Sequence, residues 1–238
     1  MPENKSKIEW TEDDIPVSTQ FDDPYYSKAD GLLETLHVFI NGNNLPARWA
    51  NMQACTIAEL GFGTGLNFLV TIKKWLAIAP ENSRLHFISF EQYPLDGKQI
   101  LRALSCWPEL TKEANILATV WQQALDQNEH KIEIAWSAQI TLTVFLDDAN
   151  KTLPRQTFLA DAWYLDGFSP AKNPELWGLE LMQNVSNRTA AKGSFATYTA
   201  AGWVRRNLQS VGFEVSRIPG HAGKRQMSIG FKSKSNQR

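Results

Sequence analysis

From Cys55 onward, short runs of consecutive apolar residues alternate with stretches whose apolar positions recur every three or four residues. The first kind suits strands buried on both faces, and the second suits helices that cover them. Residues 56–60 predict a strand, followed by a glycine-rich turn and a helix over 66–79 that stops at Pro80. A strand over 85–90 and a helical segment around 95–104 come next. Residues 132–136 and 140–146 predict two strands paired about a short turn. A strand over 162–165 leads to a helix over 174–191 with proline in its first turn, then a strand over 194–198 and a helix over 202–211. Residues 213–217 and 226–231 close the series as two more strands.

Repeated strand-then-helix units imply an α/β protein with a mostly parallel sheet and helices on both faces. The last two strands leave no room for a crossover helix, so they are expected to pair antiparallel about a loop at 219–225. A mostly parallel sheet ending in an antiparallel hairpin is the arrangement of a Rossmann-like S-adenosylmethionine-dependent methyltransferase fold. Plain dinucleotide-binding folds usually lack that hairpin, but function must still be argued from the site. The first fifty residues do not follow the alternation. They are read as a small N-terminal extension, residues 1–50, packing on a main domain, residues 51–238. Within it, 33–45 shows alternating apolar positions and the turn Asn41-Gly42-Asn43, a pattern suited to a hairpin across the main sheet.

Composition narrows the class. A chain of 238 residues, 43% hydrophobic and 21% charged, can bury a sizeable core and is neither disordered nor fibrous. No apolar run reaches the roughly 18 residues of a membrane span, and residues 1–10 lack the apolar centre of a signal peptide. Cys55 and Cys106 fit no metal-ligand or redox spacing. They are expected to be free thiols in a cytoplasmic protein without a metal. The net charge of −1 hides an asymmetry: residues 1–35 carry nine acids against three bases, and residues 202–238 carry eight bases against one acid, Glu214. A basic end suggests an anionic partner, although a solvated surface with nearby counter-charges gives the same count.

The turn Glu59-Leu-Gly-Phe-Gly-Thr-Gly65 joins a predicted strand to a predicted helix. Glycines there permit a tight turn and close approach of backbone to a ligand. In a dinucleotide fold the helix start would hold a pyrophosphate. A sulfonium cofactor instead presents a carboxylate and an ammonium, and Glu59 could shape the turn or face that ammonium. Gly61, Gly63 and Gly65 are the candidates for backbone contact, with Phe62, Thr64 and Asn67 beside them. Ligands of such folds bind at the C-terminal ends of strands, and each later strand end carries an acid. Glu91 suits two ribose hydroxyls. Asp147 or Asp148, of which Asp148 is preferred, suits an adenine amino group. Asp166 completes the set where cofactor and acceptor meet. Any one of them alone would more often be a helix cap.

Asp166-Gly-Phe-Ser-Pro-Ala-Lys-Asn-Pro174 lies where a methyl acceptor must arrive. Methyl transfer to nitrogen is an in-line displacement, so an ammonium must first lose a proton. A carboxylate can orient the amine and take that proton or stabilise the developing charge. Asp166 is the candidate catalytic residue, with Lys172 and Asn173 available to position the acceptor.

These motifs, together with Phe21-Asp-Asp-Pro-Tyr-Tyr-Ser27, His86-Phe-Ile-Ser-Phe-Glu91 and Gly223-Lys-Arg-Gln-Met227, resemble the methyltransferase domain of the MnmC family, in the family's order and across nearly the whole chain. The resemblance implies S-adenosyl-L-methionine-dependent methylation of 5-aminomethyl-2-thiouridine at the tRNA wobble position. It also implies a FAD-dependent oxidase, covalent or separate, that makes the amine. No second glycine-rich nucleotide turn occurs here, so oxidase activity is not expected of this chain. Arg205, Arg206, Lys224 and Arg225 would meet anticodon-arm phosphates. Phe168 and Tyr25 or Tyr26 would stack on the base, while Trp177 and Trp203 are expected in the core. A small-molecule amine methyltransferase, a silent RNA-binding module and, more remotely, a nicotinamide dehydrogenase are the competing readings.

Overall fold

The structure, a computed structural model, describes residues 6–27, 30–223 and 225–233. Strands β1 (Ile8–Trp10), β2 (Pro16–Ser18) and β3 (Asp23–Pro24) form a small antiparallel sheet. Helix α1 (Gly31–Glu34) runs directly into a π-helix (Thr35–Asn41), and α2 (Leu45–Trp49) follows. The main body comprises β4 (Ala54–Leu60), α3 (Leu66–Ile78), β5 (Arg84–Phe90), α4 (Gly97–Leu104), α5 (Thr111–Asp126), β6 (Lys131–Ala135) and β7 (Ile140–Phe145). It continues through α6 (Ala149–Thr152), β8 (Ala160–Leu165), α7 (Leu179–Asn187), β9 (Thr189–Thr197), α8 (Gly202–Ser210), β10 (Phe213–Ile218) and β11 (Met227–Lys232).

Among the described residues, eight strands form one sheet in the order β10-β11-β9-β8-β4-β5-β7-β6. β7, β5, β4, β8 and β9 are parallel neighbours. The β10–β11 hairpin closes one side antiparallel, as the sequence predicts, and β6 closes the other against β7. This is the Rossmann-like methyltransferase architecture. The burial patterns follow from position. The last four residues of both β4 and β5 are buried, because helices cover both faces there. In edge strand β6 only Ile132 and Ile134 are buried, while Lys131, Glu133 and Ala135 face water. The chain turns from β4 towards β5 on one side and reaches β8 on the other, so a crevice opens between the C-terminal ends of β4 and β8.

The hairpin expected over 33–45 is instead helical. Asp30 caps the start by accepting from Leu33 N, and Val38, Phe39 and Ile40 are all buried, which a two-sided strand on a surface would not allow. Asn43 is no turn tip. Its amide donates to Phe39 O and Trp163 O and its carbonyl oxygen accepts from Ser194 Oγ, so a fully buried polar side chain ties the π-helix to the sheet. The helix expected over 174–191 breaks in two. A 3-10 turn at Pro174–Trp177 is interrupted by extended Gly178, α7 follows, and the polypeptide is already in β9 at Thr189. Helix α5 has no counterpart among the expected elements, although Ala114, Leu117, Ala118, Trp121 and Ala124 bury one face at helical spacing. Trp177 is buried in the core and Trp203 packs half-buried against it. Both cysteines are free thiols. Among the described residues, no helix is long and apolar enough to cross a membrane.

Candidate active site

A cavity of about 430 Å³ occupies the crevice, within the usual range for a small-molecule site. Its floor is the glycine-rich turn after β4. Gly61 adopts φ +90°, and a Cβ there would collide with the backbone carbonyl oxygen of Asp166 and lie 3.3 Å from that carbonyl carbon. The turns after β4 and β8 therefore touch backbone to backbone, joined also by Asp166 N donating to Leu60 O at 3.1 Å. Gly63, at φ +55°, leaves the edge of Tyr25 3.1 Å from where its Cβ would be. Phe62, Thr64 and Asn67 line the cavity with Gly61 and Gly63. Gly65 lies behind the wall, where a Cβ would strike Leu117 of α5 at 2.6 Å, so its role is packing.

Glu91, at the end of β5, lines the cavity with only 8% of its surface exposed. Oε2 accepts from Gly63 N at 2.8 Å and Oε1 from Tyr93 N at 2.7 Å. Burial pushes the carboxyl above its ordinary pKa, and these backbone donors pull against that rise. The backbone of Phe62 and Gln92 adds to the same pull. The carboxylate is thus held in one orientation by main chain.

Asp166 follows β8 and lines the cavity. Its Oδ2 accepts from Asn67 Nδ2 at 2.6 Å. The same Nδ2 donates to Glu59 Oε1 at 2.9 Å, and Glu59 Oε2 accepts from Ser89 Oγ at 2.7 Å. Glu59 is wholly enclosed behind Asn67, not on the cavity wall, so it shapes the site and does not face an ammonium directly. Burial first, and then the charge of Asp166, push its carboxyl well above the ordinary range. The loop after Asp166 is pinned at each peptide. Gly167 O accepts from Tyr198 Oη at 2.7 Å, Phe168 O from Trp177 Nε1 at 2.9 Å, and Ser169 N donates to Asp23 Oδ2 at 2.7 Å. Burial, followed by the nearby Asp166, Asp23 and Glu34 carboxylates, raises the Tyr198 hydroxyl well above its usual pKa.

The N-terminal segment supplies a wall that strand-end reasoning did not anticipate. Phe21, Tyr25, Glu34 and Thr35 line the cavity, as does Tyr93 from the loop after β5. Phe21 stacks on Phe168 at 4.7 Å between centroids, and Tyr25 meets its edge at 5.1 Å. One face of the expected stacking platform is therefore already covered. Tyr25 is raised in pKa by burial and by Glu91. The available signal was the aromatic block at 21–27, whose contact with the strand ends no periodicity reveals.

Other expected residues fall elsewhere. Asp148 caps α6, accepting from Asn150 N at 2.9 Å, while its exposed neighbour Asp147 lines the cavity. Helix-cap chemistry thus claims the residue preferred for adenine. Lys172 is engaged by Asp22 at 2.9 Å and its backbone carbonyl. Arg205 is half-buried with Nε lacking a partner, and Arg206 and Arg225 are exposed. Arg205 and Arg206 lie in the first turn or so of α8, which follows β9 and cavity-lining Tyr198 in the chain. Lys224 lies outside the described residues.

Residues 108–233 match the family described as S-adenosyl-L-methionine-dependent methyltransferase. The chain is 42% identical over 231 residues to the tRNA 5-methylaminomethyl-2-thiouridine biosynthesis bifunctional protein MnmC of Methylobacillus flagellatus, covering 96% of this chain and 35% of that protein. The protein of the same name from Hydrogenovibrio crunogenus is 41% identical, over 95% of this chain and 34% of its own length. The chain thus spans about a third of the length of these relatives. Among solved structures, MNMC2 from Aquifex aeolicus superposes with a TM-score of 0.73 at 26% identity, over 97% of this chain and 71% of that one.

Proposed function

Because this chain belongs to the S-adenosyl-L-methionine-dependent methyltransferase family, we propose that it N-methylates 5-aminomethyl-2-thiouridine at the wobble position of tRNA, giving 5-methylaminomethyl-2-thiouridine. The names of its relatives point to that product. The observation that carries the reading is the Asp166 carboxylate on the wall of a cavity whose floor is the glycine turn. The residues present fit the cofactor: the turn, with Gly61 and Gly63 at positive φ, floors the cavity, and the Glu91 carboxylate is held beside it by main chain. When bound, S-adenosylmethionine supplies an electrophilic methyl on sulfonium.

Glu91 accepts the two ribose hydroxyls, and Asp147, in place of Asp148, accepts from the adenine amino group. The Gly61–Gly63 backbone, Phe62, Thr64 and Asn67 enclose the remainder. Asp166 accepts a hydrogen bond from the acceptor amine. It orients the nitrogen lone pair and takes the proton released as the amine becomes nucleophilic, passing it to water. The aromatic wall of Phe168 and Tyr25 excludes water and seats the uracil ring, with Phe21 yielding its place on Phe168. Arg205, Arg206 and Arg225, with Lys224, neutralise anticodon-arm phosphates. Lys172, held by Asp22, stiffens the acceptor loop. A FAD-dependent oxidase, covalent or separate, supplies the primary amine in the cytoplasm. In this reading residues 1–50 form an extension that completes the site of the 51–238 domain.

The test is Asp166→Asn. It keeps a hydrogen-bonding group of the same shape but removes the charge and basicity. Turnover should fall at least about tenfold, on the scale of a lost general base, while cofactor affinity stays near normal. Unchanged turnover removes Asp166 from the mechanism.

A further inference from the structure

We propose that Asn67 is a positioning residue that aims the Asp166 carboxylate at the acceptor, an inference that rests on the role just given to Asp166. The amide has two N–H donors and one carbonyl acceptor, and all are engaged. Nδ2 donates to Asp166 Oδ2 at 2.6 Å and to Glu59 Oε1 at 2.9 Å, while Oδ1 accepts from Thr35 Oγ1 at 2.7 Å. Turned over, the amide would set its carbonyl oxygen against two carboxylates, so its orientation is fixed.

The three partners come from three separate parts of the fold. Thr35 opens the π-helix, Glu59 lies in β4 and Asp166 follows β8. Asn67 itself is the second residue of α3, whose start is set by the glycine turn, and it is only 7% exposed. Ser89 Oγ anchors the far oxygen of Glu59 at 2.7 Å. The chain Ser89–Glu59–Asn67–Asp166 therefore runs from the buried sheet to the cavity wall. It ends on an oxygen of the cavity-lining Asp166 carboxylate. Burial and the neighbouring charge push the Glu59 carboxyl well up. Loss of this inner donor would shift the carboxylate, and in-line geometry is sensitive to displacements of about 1 Å.

A double-mutant cycle on kcat for methyl transfer separates positioning from general damage. Asn67→Ala alone is expected to lower kcat about tenfold or more. Introduced into Asp166→Asn, it is expected to lower kcat by less than about twofold further, because the group it aims has already lost its function. A structural role would instead multiply the two losses, and a purely cofactor-binding role would raise the cofactor KM and leave kcat unchanged; either result overturns the proposal. Thr35→Val, which keeps shape and removes the hydroxyl that locks the amide, runs the same cycle should Asn67→Ala fail to fold. A loss of about threefold that vanishes in the Asp166→Asn background supports the proposal, and a loss that persists there overturns it. If Asp166→Asn itself turns over normally, the role of Asp166 falls and the positioning claim with it. If only additivity is found, Asp166 stands and Asn67 does not.

Discussion

Replacing Gly61 by alanine tests the contact that holds the two strand ends together. Two costs apply. A side chain at φ +90° is strained by about 1–2 kcal/mol. The new Cβ also meets the Asp166 carbonyl, and forcing an extra methyl into a packed position costs about 1–3 kcal/mol. Gly212→Ala provides the control, because Gly212 has φ +96° but nothing within 4 Å of where its Cβ would be. The two variants share the backbone cost and differ by the collision. At about 2–4 °C per kcal/mol for a chain of this size, Gly61→Ala should melt about 2–12 °C below Gly212→Ala. The consequence for catalysis should be larger. Relief of the collision moves the peptide of Asp166, and a shift of about 1 Å at a reacting group costs about a hundredfold in rate. Thermal unfolding of both variants and methyl transfer under saturating cofactor measure the two effects. Equal melting temperatures, with wild-type turnover in Gly61→Ala, would refute the reasoning.

Glu91→Ala should weaken S-adenosylmethionine binding about tenfold or more, because hydrogen bonds to a charged group contribute about 1.5–3 kcal/mol. Calorimetric titration checks this, and retained affinity would show that the ribose contact is misassigned. Arg206→Ala should weaken tRNA binding and reduce the slope of log affinity against log salt by about one contact's worth, and an unchanged slope would place the RNA elsewhere. The raised Glu59 carboxyl makes stability depend on pH. A folded-state pKa above the unfolded value, taken as 4.5, means that its favourable contribution is full below about that pH and is lost as pH rises through the folded value. Denaturant unfolding from pH 4 to 8 should therefore show a flatter stability curve for Glu59→Gln than for the wild type, and parallel curves would contradict this.

The strands and the hairpin were legible because their signals are local: apolar runs of strand length, glycines between strand and helix, and two strands too close for a crossover. Glu91 and Asp166 were legible for the same reason, since topology sends strand ends to the crevice. The π-helix was not, because Leu36, Val38 and Ile40 fall two apart as in a strand, although Phe39 between them is buried too. The choice between Asp147 and Asp148 depends on which side chain the first turn of α6 takes as its cap, and adjacent acids carry no such mark. The covering of Phe168 by Phe21 arises from a contact 147 positions apart in the chain, beyond the reach of any period. In the sequence Asn67 is marked only by its place beside the glycine turn. Its link to Asp166 required the meeting of α3 and β8 in space.

The most direct test of the central claim is transfer of labelled methyl from S-adenosylmethionine to purified tRNA bearing 5-aminomethyl-2-thiouridine, with fully modified tRNA as control. Label on the wobble nucleoside of the first tRNA alone is the result predicted here. No label on either, with S-adenosylmethionine binding intact, would contradict the tRNA assignment and leave a methyltransferase whose acceptor is another amine.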